Sequence, residues 1–169
     1  MDQATSFIQK YRDDAECIQE QEGIHWIAVL SQAALESGWG AHVVGNMFFG
    51  IKDTDGINGN EQLITTTEYS TNPNLKFPEI LSKVQVVRNG KKMWKYTVKD
   101  YFRKFETPFD AFLHHVAFLK ENKRYAKAWA VRADYNKFFD ELAKAGYATD
   151  PNYCETLKAV SKSILKRIK

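Results

Sequence analysis

The sequence predicts an α+β fold in one domain, mainly helical, with an antiparallel β-hairpin lobe inserted between the helices. Three observations lead to this prediction. Apolar residues recur at helical spacing before residue 40 and again after residue 106. The segment between them is rich in β-branched and aromatic residues and contains a strong hairpin signal. A chain of 169 residues with 44% hydrophobic side chains is also large enough to bury one core.

Two helices are predicted at the N-terminal end. In the first, Ala4–Glu22, apolar residues fall at steps of three and four, and Gly23 ends the helix. The second helix stops before Gly38, which places Glu36 in or beside its last turn. Residues 45–60 are rich in Gly, Asn and Asp and are predicted to form a loop.

The β lobe is predicted over residues 62–105, between helical segments at 1–61 and 106–169. Its apolar and polar residues alternate on both sides of Asn89-Gly90, a dipeptide typical of a two-residue type I′ turn. We therefore expect an antiparallel hairpin whose tip lies at these two residues.

Three helices are predicted after the β lobe, over residues 107–122, 134–145 and 151–168. The predicted N-caps are Thr107 and Asp150, and Gly146 closes the middle helix. Pro108 and Pro151 follow these caps at the first helical position, where proline is favoured. The last helix is predicted to run from Pro151 almost to the end of the chain.

The charge distribution leaves one functional question open. The net charge of +3 does not indicate a nucleic-acid partner, and no nucleic-acid-binding motif is present. However, the segment Leu81–Lys104 carries eight bases against one acid. Such a segment is either a solvated face or a surface that meets an anionic polymer, such as a bacterial wall.

No apolar run is long enough to span a membrane, and the N-terminus lacks the features of a Sec-type signal peptide.

Cys17 and Cys154 match no metal-binding spacing. We expect them to be two separate buried thiols rather than a disulfide, because no signal peptide directs the chain to an oxidising compartment.

Glu36 is the first candidate catalytic residue. The C-terminal end of a helix carries a partial negative charge, so the pKa of a carboxyl group there should rise. Trp39, Phe48 and Phe49 follow closely and can exclude water, which raises the pKa further. A carboxylic acid that keeps its proton near neutral pH can act as a general acid. The alternative is an ordinary exposed glutamate at a frayed helix end.

Glu68 is the second candidate. Strand alternation places it on one face with Thr66 and Ser70. Two carboxylates that face each other across a cleft form the arrangement used in glycoside hydrolysis: one protonates the leaving oxygen, and the other activates water or stabilises the positive charge on the sugar. The alternative is a polar strand on the solvent side of a sheet.

The sequence resembles the glycoside hydrolase family 73 domain in five motifs: AALESGWG, GNMFFGIK, TTTEY, YFRKFETPFDAFLHHVAFLKENKRYAKAW and AGYATDPNY, in this order. This family comprises the peptidoglycan endo-β-N-acetylglucosaminidases of bacterial autolysins and of the flagellar rod-cap hydrolase. The resemblance covers residues 24–162. It implies a lysozyme-like fold with a cleft between the helical lobe and the β lobe. It also implies hydrolysis of the β-1,4 bond between N-acetylglucosamine and N-acetylmuramic acid, on the N-acetylglucosamine side.

The resemblance assigns roles to individual residues. Glu36 matches the general acid, Glu68 the second acid on a mobile β lobe, and Tyr147 the active-site tyrosine. The positions that match substrate-binding residues are Trp39, Asn46, Phe48, Tyr125, Thr149 and Tyr153. The implied partner is the peptidoglycan glycan strand, and no cofactor or metal is implied. The segment between Ser70 and Phe102 is longer and more basic than the family pattern, so the β lobe is expected to be elaborated.

Two other functions stay open: a catalytically silent module that binds peptidoglycan, and a lysozyme of the muramidase type. No G-x-S-x-G or H-E-x-x-H motif supports another hydrolase chemistry, and His114 and His115 are assigned surface or packing roles. The expected site of action is the cell wall, in the periplasm or outside. Without a Sec-type signal, the chain would be exported by a dedicated secretion system, delivered by a phage, or part of a longer chain. An effector injected into rival bacteria would also need an immunity protein that blocks the cleft.

Overall fold

The computed structural model describes residues 2–57 and 59–168. The chain divides into two compact units, one made of the residues up to Phe49 and from Phe105 onward, the other of Gly50–Lys104. In chain order the elements are α1 (Gln3–Glu22), α2 (Trp26–Glu36), β1 (Glu61–Ser70), β2 (Glu79–Arg88), β3 (Lys91–Arg103), α3 (Pro108–Glu121), a 3₁₀ turn (Lys123–Tyr125), α4 (Ala126–Ala130), α5 (Tyr135–Lys144) and α6 (Tyr153–Arg167).

Helix α1 begins at Gln3, one residue before the predicted start, and ends at Glu22 as predicted. The Asp2 carboxylate accepts a hydrogen bond from the Thr5 amide at 2.7 Å and caps the first turn. Gly23 ends the helix in the left-handed conformation, with φ of 69°, which glycine adopts without steric cost. Between these ends, the apolar face of α1 is buried in the core: Phe7, Ile8, Tyr11, Ala15 and Ile18.

Helix α2 is buried on nearly all sides. Every residue from Ile27 to Ala34 is buried, so this helix forms the centre of the helical unit rather than a surface element. Two of these residues are polar: Ser31 and Gln32 are both 0% exposed. A buried amide costs stability unless its hydrogen-bonding groups find partners, so the neighbours of Gln32 matter for the site.

Aromatic rings join α1, α3 and the loop after α2. The Tyr11 and Phe48 ring centroids lie 5.0 Å apart in an edge-to-face pair, and those of Phe48 and Phe112 lie 4.9 Å apart. Burying each such side chain stabilises the fold by roughly 1.5–3 kcal/mol. Phe48 is therefore a core residue, only 2% exposed.

The C-terminal helices differ from the prediction in two places. Thr107 and Asp110 form the capping box of α3, with Pro108 at the first helical position, as predicted. In contrast, α6 begins at Tyr153 rather than at Pro151. The Asp150 carboxylate accepts from the Asn152 amide at 2.8 Å, and the Asp150 carbonyl accepts from the Tyr153 amide, so a turn precedes the helix. The 3₁₀ turn and the short α4 were not predicted.

The second unit contains a three-stranded antiparallel sheet in the order β1-β3-β2, counted over the residues described. Asn89 and Gly90 connect β2 to β3 with φ values of 51° and 73°, as the predicted two-residue turn requires. The long basic segment therefore forms β2 and most of β3. Strand β2 lies at the edge and is exposed, and its irregular pairing between Ile80 and Ser82 limits further strand addition.

Residues 50–57, 59 and 60 belong to the unit that contains the sheet, whereas the sequence analysis placed them in the helical lobe. The Asp53 amide donates to the Tyr101 carbonyl at 3.1 Å, and the Arg103 amide donates to the Ile51 carbonyl at 2.8 Å. These hydrogen bonds join the loop to β3, and backbone pairing of this kind is not visible in a loop-like composition.

Over the part of the chain that the structure describes, no helix combines the length and the apolar character needed to cross a membrane.

Both cysteines are free thiols, as expected, but only one is shielded from solvent. Cys17 lies on the exposed face of α1, so its predicted burial was wrong. Cys154 is half-buried on α6 and donates to an Asp140 carboxylate oxygen at 3.2 Å.

We expect Cys17 to react faster than Cys154 with a thiol reagent such as DTNB at neutral pH. Cys17 is exposed, whereas burial and the neighbouring Asp140 carboxylate raise the pKa of the Cys154 thiol and so lower its thiolate fraction. Stopped-flow labelling of Cys17→Ser and Cys154→Ser variants would assign the two phases. Equal rates in the native protein, with separation only after unfolding, would contradict this placement.

Candidate active site

The residues that follow Glu36 form a tight left-handed turn. Gly38, Trp39 and Gly40 have φ values of 58°, 56° and 82°. A side chain at Gly40 would come within 3.1 Å of the Phe7 ring, so glycine is required there for space as well as for conformation. Trp39 adopts a conformation that is costly for a bulky residue. Its ring packs edge-to-face against Phe7 with a centroid distance of 5.8 Å, which helps to offset this cost.

Ser37 holds the turn against the end of α2. Its buried hydroxyl donates to the Ala33 carbonyl at 2.6 Å and accepts from the Gly40 amide at 2.9 Å. On the outer side, the Gln3 amide nitrogen donates to the Gly38 and Trp39 carbonyls. The turn is therefore fixed from both sides, and it sets the position of Glu36 at the end of the helix.

Glu36 is the last residue of α2, as predicted. One side of the residue is exposed to solvent, while protein atoms surround the rest of the carboxyl group. This partial loss of water raises the pKa of Glu36, and a hydrogen bond from the Tyr153 hydroxyl opposes the rise. The raised pKa confirms the direction inferred from the sequence and suits a group that must hold and then release a proton.

A chain of polar side chains leads from Glu36 into the core. The Tyr153 hydroxyl donates to Glu36 Oε1 at 3.0 Å. Gln32 Nε2 donates to the Tyr153 hydroxyl oxygen at 3.3 Å, and Gln32 Oε1 lies 3.3 Å from His115 Nε2. Gln32 and His115 are buried, so these contacts satisfy polar groups that have no access to water.

His115 is neutral over the ordinary pH range. Burial lowers the pKa of its imidazole to about 3, and the neighbouring His114 adds to the effect. Its ring stacks on Phe49, with centroids 3.8 Å apart and planes at 10°. The expected packing role of His115 therefore comes with a polar contact to Gln32.

Tyr147, the predicted active-site tyrosine, stacks on the ring of Tyr153. The two centroids are 5.4 Å apart with an interplanar angle of 27°. Burial and the Glu36 carboxylate raise the pKa of Tyr147, so its hydroxyl stays neutral. Tyr125 lies behind it at 5.8 Å and is 5% exposed, which makes Tyr125 a support for Tyr147 rather than an open surface.

The remaining predicted substrate contacts lie in different surroundings. Asn46 has a φ of 54°, and its side chain donates to the Phe105 and Glu106 carbonyls at 3.0 and 2.9 Å. This arrangement ties down the loop after α2. Thr149 is exposed, whereas Phe48 lies in the core and has little surface to offer a sugar. Trp39 is half-buried and keeps part of its ring accessible.

Glu68 lies on β1 of the second unit, on the same face as Thr66 and Ser70, as predicted. Its Oε1 atom pairs with Lys52 Nζ at 3.0 Å, and the same Lys52 nitrogen lies 2.9 Å from Asp100 Oδ2. Strand β3 places Asp100 on this face because Tyr96, which is paired with Glu68, precedes Asp100 by four residues. Lys52 thus joins two carboxylates on one side of the sheet.

Four residues of these networks were not predicted as site residues from the sequence: Gln32, His115, Lys52 and Asp100. Gln32 precedes Glu36 by four residues, so helical spacing places both on one side of α2 and could have singled it out. Nothing local marks His115 as its partner, because α3 lies far along the chain. Lys52 is 16 residues from Glu68, and only the fold of the second unit joins them.

The described residues contain one group of carboxylates close enough to hold a cation. Asp53, Asp55 and Glu61 bring carboxylate oxygens within 4.8 Å of one another. Asp53 already pairs with Arg103 Nε at 2.5 Å, and Asp55 accepts from the Ile57 amide. Acidic groups of this kind are common at surfaces without a metal, so this group alone assigns no function.

The comparisons with known proteins identify related sequences over nearly the whole chain. The family model described as mannosyl-glycoprotein endo-beta-N-acetylglucosaminidase matches residues 12–166. The chain is 32% identical to the peptidoglycan hydrolase FlgJ of Salmonella typhimurium, over 95% of this chain and 48% of that protein. It is 30% identical to FlgJ of Vibrio parahaemolyticus, over 96% of this chain and 48% of that protein. The chain therefore spans about half the length of the curated relatives it matches.

Solved structures support the fold. The glycoside hydrolase domain of Salmonella typhimurium FlgJ aligns with a TM-score of 0.72 and 31% identity, over 99% of this chain and 91% of that chain. A chain from a type VI secretion system effector-immunity complex of Pseudomonas protegens aligns with a TM-score of 0.54 and 16% identity, over 98% and 94%, which shows similarity of fold alone. Together with the helices and the sheet, these matches confirm the predicted lysozyme-like α+β class.

We expect His115 to make the folded state pH-sensitive. Because its pKa is about 3 in the folded state and near 6.5 when unfolded, the unfolded state binds more protons between these values. The stability that His115 contributes is therefore complete above about pH 6.5 and is lost as the pH falls. Between pH 6.5 and 4.5, the free energy of unfolding should drop by up to about 1.4 kcal/mol per pH unit more in the wild type than in His115→Phe.

Urea unfolding followed by circular dichroism at several pH values would measure this difference in slope. The slope is the test, because the substitution changes packing at every pH. Both proteins should carry Glu36→Gln, so that the opposite slope caused by the raised pKa of Glu36 is absent from the comparison. Parallel pH profiles for the two proteins would contradict a buried, neutral His115.

Proposed function

Because the chain belongs to the glucosaminidase family of glycoside hydrolases, we propose that it hydrolyses the β-1,4 bond between N-acetylglucosamine and N-acetylmuramic acid in peptidoglycan, on the N-acetylglucosamine side. The observation that carries this proposal is Glu36: a carboxyl group of raised pKa at the open end of a buried helix, hydrogen-bonded by Tyr153. Those are the properties of a general acid.

Glu36 acts as the proton donor. Its proton passes to the glycosidic oxygen as the bond between this oxygen and the anomeric carbon breaks, and the leaving sugar departs as an alcohol. The Glu36 carboxylate that remains accepts a charge-assisted hydrogen bond from the Tyr153 hydroxyl group. Water supplies the hydroxyl group of the new reducing end, and its remaining proton restores Glu36.

Glu68 is the second carboxylate of the proposal. Its Oε1 atom pairs with Lys52 Nζ at 3.0 Å. Its candidate roles are a base that activates water, a nucleophile, or a group that assists while the acetamido group of the substrate attacks. We also propose that Tyr147, Trp39 and Thr149 contact the substrate.

The setting is part of the proposal as well. The enzyme would act at the bacterial cell wall, with peptidoglycan strands as its partner. An immunity protein that blocks the cleft would be needed only if the chain is an interbacterial effector. The similarity of fold to a chain of an effector-immunity complex motivates this possibility without assigning it. Export by a dedicated system, phage delivery and membership of a longer chain stay open predictions.

The products distinguish the proposed activity from its alternatives. Purified peptidoglycan digested with the protein should yield fragments with N-acetylglucosamine at the new reducing ends. Borohydride reduction followed by mass spectrometry identifies the reduced sugar. Reduced N-acetylmuramic acid would make the protein a muramidase, and binding to peptidoglycan without release of fragments would make it a silent module.

Substitution of the two carboxylates should separate their roles. Glu36→Gln removes the proton donor with little change in volume, so turnover should fall by at least about 10²-fold while the fold is kept. Glu68→Gln should also lower turnover. Glu20→Gln, an exposed position on α1, is the matched control and should behave as the wild type. Near-normal turnover of Glu36→Gln, measured by release of reducing ends, would move the acid to another residue.

A further inference from the structure

The hydrogen bonds that lead from His115 to Glu36 run in one direction when the His115 proton is on Nε2. Buried His115 is neutral and carries one N–H. When this N–H is on Nε2, it donates to Gln32 Oε1 and turns the Gln32 amide nitrogen toward the Tyr153 hydroxyl oxygen. An amide nitrogen can only donate, so the Tyr153 oxygen must accept, and its own proton is left for Glu36 Oε1.

This direction determines which oxygen of Glu36 carries the catalytic proton. Oε1 is occupied as an acceptor from Tyr153, so the proton of the neutral acid belongs on Oε2. From there it can pass to a leaving oxygen. Once it has left, the hydrogen bond from Tyr153 is charge-assisted and therefore stronger than in the ground state. An interaction that strengthens as the reaction proceeds favours the transition state.

We propose that Gln32 and His115 are positioning residues that act through Tyr153: they hold its hydroxyl as a donor to Glu36 Oε1 and so keep the acid proton on Oε2. This inference deepens the proposed function and rests on it. Neither residue needs to touch substrate, because each is buried behind Tyr153. A purely structural role would also explain their burial, so the test must read the state of Glu36 itself.

The test is the pKa of Glu36, followed by carbon-13 NMR of its side-chain carboxyl group. Tyr153→Phe removes a donor to the carboxylate and should raise this pKa by about 1 to 2 units. Gln32→Met removes the groups that orient Tyr153 at similar volume and should raise it by a smaller amount, at least about 0.3 unit. In the Tyr153→Phe background, Gln32→Met should add nothing, because it acts only through the hydroxyl.

His115 offers a matched pair of variants. His115→Phe keeps an aromatic ring against Phe49 but loses the N–H, so the Glu36 pKa should rise as in Gln32→Met. His115→Gln keeps a donor near the Nε2 position and should stay close to the wild type. Ile164→Val removes a buried methyl group from α6. It is a control that lowers stability without changing any residue of the hydrogen-bond network.

The other titratable groups near these hydrogen bonds do not interfere with the measurement of the Glu36 pKa. Tyr147 and Tyr153 face Glu36, and burial raises the pKa of both, so they stay neutral while Glu36 titrates. His114 adjoins His115 and is the same in every variant. A Glu36 pKa unchanged in Gln32→Met, or an equal rise with and without the Tyr153 hydroxyl, would overturn the proposal.

Activity provides a second readout. In Gln32→Met, kcat should fall with KM little changed, because no contact with substrate is lost. The NMR titration needs no turnover, so it tests the positioning role independently of the proposed hydrolytic activity. A wild-type protein that releases no sugar but shows the expected shifts would refute the activity and keep the positioning role. An active protein whose variants show no change in the Glu36 pKa would support the activity and refute the positioning role. If His115→Phe does not fold, the Glu36 pKa in Gln32→Met is the deciding measurement.

Discussion

A carboxyl group held at the C-terminal end of a largely buried helix is the constraint on which the helical unit depends. Glu36 is exposed to solvent, while every residue from Ile27 to Ala34 before it is buried. The abrupt change from core to surface requires the left-handed turn at Gly38–Gly40 and the buried Ser37 hydroxyl that closes it. The packing of Phe7 against Trp39 then joins this turn to α1.

Two opposing effects set the proton affinity of Glu36. Partial burial favours the neutral acid, and the Tyr153 hydroxyl favours the carboxylate. A group that only held its proton would be a poor donor, and one that ionised easily would have no proton to give. The tyrosine stack of Tyr147 on Tyr153 fixes the ring that carries this hydroxyl, and Gln32 fixes its direction. The sheet contributes a different kind of acid, since Glu68 is paired with a cation.

Local signals predicted the parts of the fold and the site that depend on neighbours in sequence. Gly23 ended α1, Asn89-Gly90 formed the hairpin turn, and Glu36 lay at the helix end as expected. The short α4 lacks a side-chain cap, so its sequence carried no start signal. The aromatic residue Phe48 could as well line a cleft as fill a core, and only its contacts with Tyr11 and Phe112 show that it fills the core.

Burial at this helix end keeps Glu36 protonated above the pH at which ordinary carboxyl groups ionise. Infrared difference spectroscopy of the wild type against Glu36→Gln during a pH titration tests it directly. We expect a protonated-carboxyl band, absent from the variant, that persists after most of the other carboxyl groups have ionised. If that band disappears together with those of the other carboxyl groups, the pKa of Glu36 is not raised.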